Sequence, residues 1–165
     1  MESSYKAYIP QFKSYVEKAR HIIDENNYMV IATSGEDSTP WAAPVFYAYD
    51  KRYNLYFISA IDSRHAKDIA ENPRVAVSIF NSTQNIGLSD GMQIEGRASE
   101  VKGAELKKAL AVYMLRLYSG MAVPQRREFD VSYYTEPAEF RVFKVSIKKA
   151  YLNGVDRRDQ VNLNQ

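Results

Sequence analysis

Cysteine is absent from this chain of 165 residues, and histidine is scarce. Without cysteine there can be no disulfide, no thiolate nucleophile and no cysteine-ligated metal or cluster. The two histidines, His21 and His65, lie far apart in the sequence, so we expect no metal site. The lack of cysteine also fits the reducing environment of the cytoplasm, where we expect the protein to be located.

Long apolar runs and a strong net charge are missing as well. No stretch approaches the roughly 20 apolar residues that span a membrane, and the polar start of the chain lacks the apolar core of a signal peptide. A net charge of +2 is too small to indicate a nucleic-acid partner. The glycine-rich phosphate and dinucleotide motifs, the serine-hydrolase elbow and the zinc-protease motif are also absent. We therefore expect neither a membrane nor a nucleic acid as partner.

Aromatic residues are the one class in excess. The sequence has 13 Tyr, 7 Phe and 1 Trp, whereas its hydrophobic fraction of 45% and charged fraction of 25% are ordinary for a globular protein. The length indicates a single domain over residues 1–165 with a substantial core. A domain of this size does not readily bury so many rings, so some are expected to line a pocket or a subunit interface.

Hydrophobic periodicity predicts an α+β fold. Apolar residues recur at helical spacing over 11–26 and 103–119, and a short helix is predicted over 64–71. The polar residues 155–165 are expected to form a flexible tail. Several strands are apolar on both faces although short turns join them, which is typical of a barrel or a covered sheet. The predicted strands are 29–34, 41–49, 55–60, 74–81, 92–101 and 140–147, with 150–152 extending the last.

The most informative stretch is 57–80, which has the pattern of a strand, a polar turn, a helix and a second strand. The turn places Ser63, Arg64, His65 and Lys67 at the start of the helix. Free backbone N–H groups and the helix dipole favour an anion there, and a phosphate is one natural ligand. Equally, Ser63 can be a simple N-cap and the basic residues a solvated face.

Other polar positions also allow two interpretations. Gln93, Glu95 and Arg97 lie on one face of a predicted strand, which can reflect a site or a cross-strand ion pair of the charged residues. His21 is more typical of a helix boundary than of a catalytic base. His65, beside Arg64, is better placed to contact an anion or a ring edge, and a purely structural role is an equal alternative. No catalytic acid or base can be named from the sequence.

Three segments carry a family resemblance: A-P-V-F-Y at 43–47, S-R-H-A-K-D-I-A-E-N-P-R-V at 63–75 and G-M-Q-I-E-G-R-A at 91–98. In this order and spacing the chain resembles the pyridoxamine 5′-phosphate oxidase-like, FMN-binding split-barrel family. The resemblance covers about residues 12–101, with a looser fit over 140–152. It is closest to a small, little-characterised branch rather than to the true oxidases.

The resemblance implies a six-stranded antiparallel split β-barrel flanked by helices. It also implies a homodimer with two FMN molecules between the subunits. The implied activity is that of an FMN-dependent oxidoreductase or flavin reductase, which acts on a small planar substrate and has NAD(P)H as one source of electrons. The alternatives are a non-catalytic flavin-binding stress or storage protein and, further off, a haem-binding or deazaflavin-binding protein.

The family's cofactor-binding positions are carried over residue by residue. Ser63 and Arg64 match the turn that holds the FMN phosphate, and His65 stands where the family usually has Lys, so Lys67 is expected to supply that charge. Ile58 and Ser59 match positions along the ribityl chain or phosphate, and Gln93 matches a residue that reaches the cofactor across the dimer. The strand backbone facing the isoalloxazine ring corresponds to Ile31, Ala32, Thr33, Pro44, Val45 and Phe46.

The chain departs from the true oxidases in two respects. Those enzymes carry an Arg and a Lys on the second strand, and the aligned positions here are Ala42 and Tyr47. They also end in a Trp-containing, Arg-His-rich segment that binds substrate, whereas the one Trp here is Trp41. We therefore predict that pyridoxamine phosphate is not the substrate.

Overall fold

A curled antiparallel sheet organises the chain. The computed structural model describes residues 12–84, 90–117, 119, 130–153 and 158–164. Among these residues, no helix is long and apolar enough to cross a bilayer. In chain order the elements are α1 (Tyr15–Glu25), β1 (Tyr28–Ser34), β2 (Pro40–Phe46), β3 (Ala48–Tyr49), β4 (Leu55–Ala60), α2 (Arg64–Glu71), β5 (Arg74–Phe80), β6 (Gly91–Glu100), α3 (Ala104–Leu117), a 3₁₀ helix (Val131–Tyr134), β7 (Phe140–Asn153) and β8 (Arg158–Val161).

The strand order is β2-β1-β5-β6-β7-β4-β3, with β8 paired to β7. The 14-residue strand β7 joins the two parts of the sheet, because its first half pairs with β4 and its second half with β8, while β6 lies along its other edge. The sheet thereby curls into a half-barrel flanked by helices. The predicted α+β split-barrel architecture is confirmed, and β2 is an edge strand, which is where a strand tolerates Pro44.

The strand count differs from the predicted six, because the described part of the sheet has eight strands. The predicted strand 41–49 is divided at Tyr47, whose backbone N–H donates to Asn27 O (3.2 Å) and whose hydroxyl donates to Ile23 O (2.7 Å). The additional strand β8 lies in the segment expected to be a flexible tail. For residues 158–164 that expectation is corrected, since β8 pairs with β7 and the apolar side chains of Val161 and Leu163 are buried.

Helix α2 begins and ends where the sequence predicts. Ser63 is its N-cap, and the Ser63 hydroxyl accepts from Ala66 N–H. At the other end Asn72 donates its backbone N–H to Asp68 O (2.7 Å), and Asn72 Nδ2 donates to Ser34 O (3.1 Å) on β1. Proline at the next position prevents a further helical turn. These bonds hold α2 firmly against the open end of the curled sheet.

Two apolar clusters fill the interior. The larger lies inside the curled sheet and joins Ala19, Ile22 and Ile23 of α1 to strand residues that include Met29, Ile31, Phe57 and Met92. The smaller lies between α3 and the β4–β7 pair and includes Tyr56, Leu106, Leu110 and Val142.

None of the helices in the described part of the chain covers the convex side of β2, β1, β5 and β6, where alternate side chains are exposed or half-buried. We call it the outer face. Strand register and alternating burial assign to it Tyr28, Val30, Ala32, Ala42, Pro44, Phe46, Arg74, Ala76, Ser78, Phe80, Gln93, Glu95 and Arg97.

Candidate functional site

Three polar side chains meet where β4 ends and α2 begins. Ser59 Oγ lies 2.7 Å from His65 Nε2 and 3.1 Å from Ser63 Oγ, and Ser63 Oγ lies 3.3 Å from His65 Nε2. The turn is closed by Ser63 N–H, which donates to Ala60 O (3.2 Å). We call Ser59, Ser63 and His65 the polar cluster. Hydroxyl groups at a helix N-terminus can donate to an anion that also faces the unpaired N–H groups of the first turn.

The environment of His65 lowers its pKa and so favours the neutral form. Its side chain is buried, and its ring lies 6.1 Å from the ring of Phe57. Burial lowers the pKa of His65, and the nearby negative charge of Asp68 opposes this effect only in part. The imidazole therefore supplies a hydrogen-bonding nitrogen to the two serines rather than the fixed positive charge of the Lys usual in the family.

Arg64 lies outside the polar cluster, on the exposed side of α2. Its guanidinium stands 4.9 Å from the ring centroid of Trp41, so it links the start of α2 to the edge strand β2. Among the described residues, no carboxylate lies within ion-pair distance of Arg64. Hydrogen bonds from Thr39 chiefly hold the pKa of Asp37 below its usual value, and the charge of Arg64 contributes in the same direction.

Lys67 lines a surface cleft that is predominantly acidic. An anion beside Lys67 would meet several carboxylates, so the polar cluster is the better place for a phosphate. The cleft is lined by Gly35, Glu36, Asp37, Thr39, Asp62, Arg64, Lys67, Asp68 and Glu71.

Three of the six positions matched to the ring-facing backbone have buried side chains. Ile31 is fully buried, Val45 is buried, and Thr33 donates its hydroxyl to Asp68 Oδ2 (2.7 Å) inside the sheet. Only Ala32, Pro44 and the half-buried Phe46 present side chains to the outer face. A ligand could therefore reach these strands through small outer side chains, or through the backbone edge of β2 that no other described strand pairs with.

Two further predicted positions point away from the polar cluster. Ile58 packs against the α3 cluster, so it and Ser59 lie on opposite faces of β4. Gln93 is half-buried on the outer face, in the lateral row that also contains Pro44, Val30 and Ser78. Within the single chain it is separated from β4 by β7.

In the true oxidases two positions of the second strand are basic. The residues aligned with them here, Ala42 and Tyr47, lie in different environments. Ala42 is exposed on β2, whereas Tyr47 is fully buried under the guanidinium of Arg116, which stands 4.7 Å from its ring. Tyr47 is a core residue and offers nothing to a surface ligand.

The sequence reasoning missed a second group of polar residues. Arg74 on β5 and Arg97 on β6 are direct cross-strand partners, and Lys148 on β7 faces the same shallow cleft. Strand register and a bulge in β7 bring these three residues together. A local sequence pattern predicts neither the register nor the bulge. The ambiguity at Glu95 is resolved: Glu95 pairs with Lys149 (3.3 Å) and accepts from Tyr151 OH (3.1 Å), and Arg97 takes no part.

Known proteins resemble this chain in sequence and in structure. The UPF0306 protein PM1958 of Pasteurella multocida (strain Pm70) is 30% identical over 97 residues, which cover 57% of this chain and 65% of that relative. The match thus spans slightly less than two-thirds of the relative's length. A heme binding protein from Mycobacterium smegmatis superposes with a TM-score of 0.71 at 23% identity, covering 92% of this chain and 59% of that one.

General Stress Protein 26 from Bacillus anthracis str. Sterne superposes with a TM-score of 0.58 at 20% identity and covers 90% of this chain and 98% of that one. At such identities the structural likeness establishes the fold alone. The family described as pyridoxamine 5′-phosphate oxidase matches residues 15–154, which is most of the chain and includes the polar cluster. The chain therefore belongs to the pyridoxamine 5′-phosphate oxidase family.

Proposed function

We propose that this protein binds FMN and acts as an FMN-dependent oxidoreductase or flavin reductase on a small planar substrate. The observation that carries the proposal is the polar cluster at the start of α2, with Arg64 beside it. The hydroxyl groups of Ser59 and Ser63 and the N-terminus of an eight-residue helix converge there, and the Nε2 atom of His65 holds Ser59 in place. This is a donor set suited to a phosphate monoester.

Arg64 can join that donor set at small cost. Its present contact is the exposed cation–π interaction with Trp41, which is worth about 0.5–1 kcal/mol. A charge-assisted hydrogen bond to phosphate contributes about 1.5–3 kcal/mol. The second interaction outweighs the first, so we expect Arg64 to turn from the indole to the phosphate when FMN binds.

The edge strand β2 is the natural support for the ring of the cofactor. Among the described strands it pairs only with β1, so one backbone edge is free to hydrogen-bond a heteroaromatic ring. The Arg64–Trp41 contact brings β2 close to the start of α2, beside the polar cluster. When bound, FMN would supply hydride and electron transfer, and the chain would orient the ring and exclude water.

We further propose a homodimer formed through the outer face. Continuing the register of β1 with β5 puts Tyr28 and Phe80 at the same end of this face, where they are 63% and 48% exposed and offer apolar area to a partner. A second copy of the chain is the occupant consistent with the family, and Gln93 on the same face would then reach the partner's cofactor. A stable interface of this kind buries on the order of 1,600 Å².

An absorption spectrum of the purified protein tests the choice of cofactor. We expect the two-banded flavin spectrum after incubation with FMN and desalting. A Soret band with no flavin would instead favour haem. That outcome is disfavoured by the two histidines, because His65 Nε2 is committed to Ser59 and His21 rests against the ring of Phe12 at 4.9 Å. Flavin binding without reduction by NADH or NADPH would favour a storage or stress role.

A further inference from the structure

We infer that the chain carries a second anion site, separate from the polar cluster, which binds a phosphomonoester. It is the shallow cleft at the end of the outer face where β5 begins, and we call it the basic cleft. Its polar lining consists of Ser34, Asn72, Arg74, Glu95, Arg97 and Lys148. The inference does not depend on FMN binding.

The cross-strand register places two arginine residues opposite each other on neighbouring strands. Arg74 and Arg97 are directly opposed on the outer face, where partner Cβ atoms lie about 4.5–5.5 Å apart. Like charges in that position are destabilising unless an anion lies between them. Within the described ranges, neither arginine forms an ion pair, and Glu95, the adjacent acidic residue on this face, is committed to Lys149 and Tyr151.

A β-bulge adds a third cation by an independent route. Glu95 pairs with Lys149 and Gly96 pairs with Ile147, so Lys148 is the extra residue of β7. Ile147 packs against the interior, and both lysines are exposed. Bulges re-aim side chains and are frequent next to functional sites. Here the bulge turns Lys148 toward the cleft that Arg74 and Arg97 also line.

The charge of the cleft matches a phosphomonoester dianion. Arg74, Arg97 and Lys148 provide three positive charges, while the one carboxylate, Glu95, is neutralised by Lys149. A phosphomonoester carries nearly two negative charges at neutral pH and accepts the planar donor fork of arginine. Asn72 Oδ1 accepts from Arg74 N–H (3.2 Å) and stands 3.5 Å from Arg74 Nε, which restrains that side chain and leaves its terminal nitrogens for the ligand.

The basic cleft is distant from the aromatic part of the outer face. Arg74 begins β5 and Phe80 ends it, so about 20 Å of extended strand separates them. A dimer built around Tyr28 and Phe80 therefore leaves room for a small anion at the other end.

The inference is tested by isothermal titration calorimetry, in which inorganic phosphate is added to FMN-saturated protein. We expect saturable binding, weakened about tenfold or more in Arg97→Ala and in Arg74→Ala, and weakened less in Arg97→Lys, which keeps the charge but loses the fork. The exposed turn variant Arg52→Ala should bind phosphate as the unmodified chain does. Circular dichroism confirms that each variant is folded.

The same titration identifies the source of the phosphate. If NADPH competes with inorganic phosphate and NADH does not, the ligand is the reductant's 2′-phosphate; if neither competes, it is a phosphorylated substrate or free phosphate. Absence of phosphate binding at millimolar concentration, or binding unaffected by Arg97→Ala, would overturn the inference. Loss of FMN affinity in Arg97→Ala but not in Arg64→Ala would also overturn it, because the basic cleft would then be the FMN phosphate site.

Discussion

His65 Nε2 lies 2.7 Å from Ser59 Oγ, so the end of strand β4 and the first turn of helix α2 are joined by one hydrogen bond. The bond fixes the imidazole beside two serine hydroxyls. Burial lowers the pKa of His65, which favours the neutral form over the positive charge that a lysine would bring.

Stability should consequently fall as the pH falls through the titration range of His65. Burial holds the folded-state pKa below the unfolded value of about 6.5, so the unfolded chain binds the extra proton first. The contribution of His65 is complete above that pH and is lost below it, as the pH approaches the depressed folded pKa. Urea unfolding between pH 5 and 7 measures this slope. His65→Gln should flatten it and His21→Gln should not; an equal slope in all three proteins would refute the assignment.

Arg116→Ala should destabilise the fold without touching the proposed site. Arg116 Nη2 donates to Ile23 O (2.9 Å), Asp24 O (3.0 Å) and Asn26 O (2.7 Å), and the guanidinium also stacks on Tyr47. Removing it takes a donor from all three carbonyls at the end of α1, of which Ile23 O keeps the Tyr47 hydroxyl, and this costs on the order of 2–3 kcal/mol. Urea denaturation measures the loss. A change below about 0.5 kcal/mol would show that the contact carries little stability.

Phe80→Glu should dissociate the proposed dimer. A carboxylate in place of a ring that is 48% exposed on the outer face would be buried without a partner at the interface. Light scattering at micromolar concentration should then report a monomer. Leu115→Glu is the control, because Leu115 is 68% exposed on α3 and should leave the dimer intact. An unmodified chain that is monomeric with flavin bound would contradict the dimer.

Pyridoxamine phosphate should not be turned over. The second-strand positions that are basic in the true oxidases hold a small exposed side chain, Ala42, and a buried tyrosine, Tyr47. A dianionic substrate needs cationic partners where it is desolvated. Incubation of FMN-loaded protein with pyridoxamine phosphate and oxygen checks this, and steady formation of pyridoxal phosphate at ordinary enzyme rates would refute it.

The sequence predicts those elements whose ends are set by local chemistry. Helix α2 coincides with its predicted range because Ser63 caps it and Asn72–Pro73 stops it. The division of the predicted strand 41–49 into β2 and β3 is harder to predict. Tyr47 leaves the sheet because its hydroxyl donates to Ile23 O, 24 positions away in the sequence. Strand β8 likewise cannot be predicted from its own polar sequence, because pairing with β7 is what orders it.

The polar cluster and the basic cleft also differ in how far the sequence predicts them. The cluster of Ser59, Ser63 and His65 follows from one contiguous turn, which the local pattern singled out. The basic cleft depends on the register of β5 with β6 and on a single inserted residue in β7. A sequence pattern does not contain that register, and so Arg74 and Lys148 were not recognised.

The most direct test of the central claim is a fluorescence titration of the apoprotein with FMN, comparing the unmodified chain, Arg64→Ala and the exposed control Arg52→Ala. If the phosphate lies at the start of α2, Arg64→Ala should weaken FMN binding about tenfold or more, because one charge-assisted hydrogen bond is lost. Arg52→Ala should bind FMN with unchanged affinity. Equal FMN affinity in all three proteins, or no FMN binding by the unmodified chain, would contradict the account.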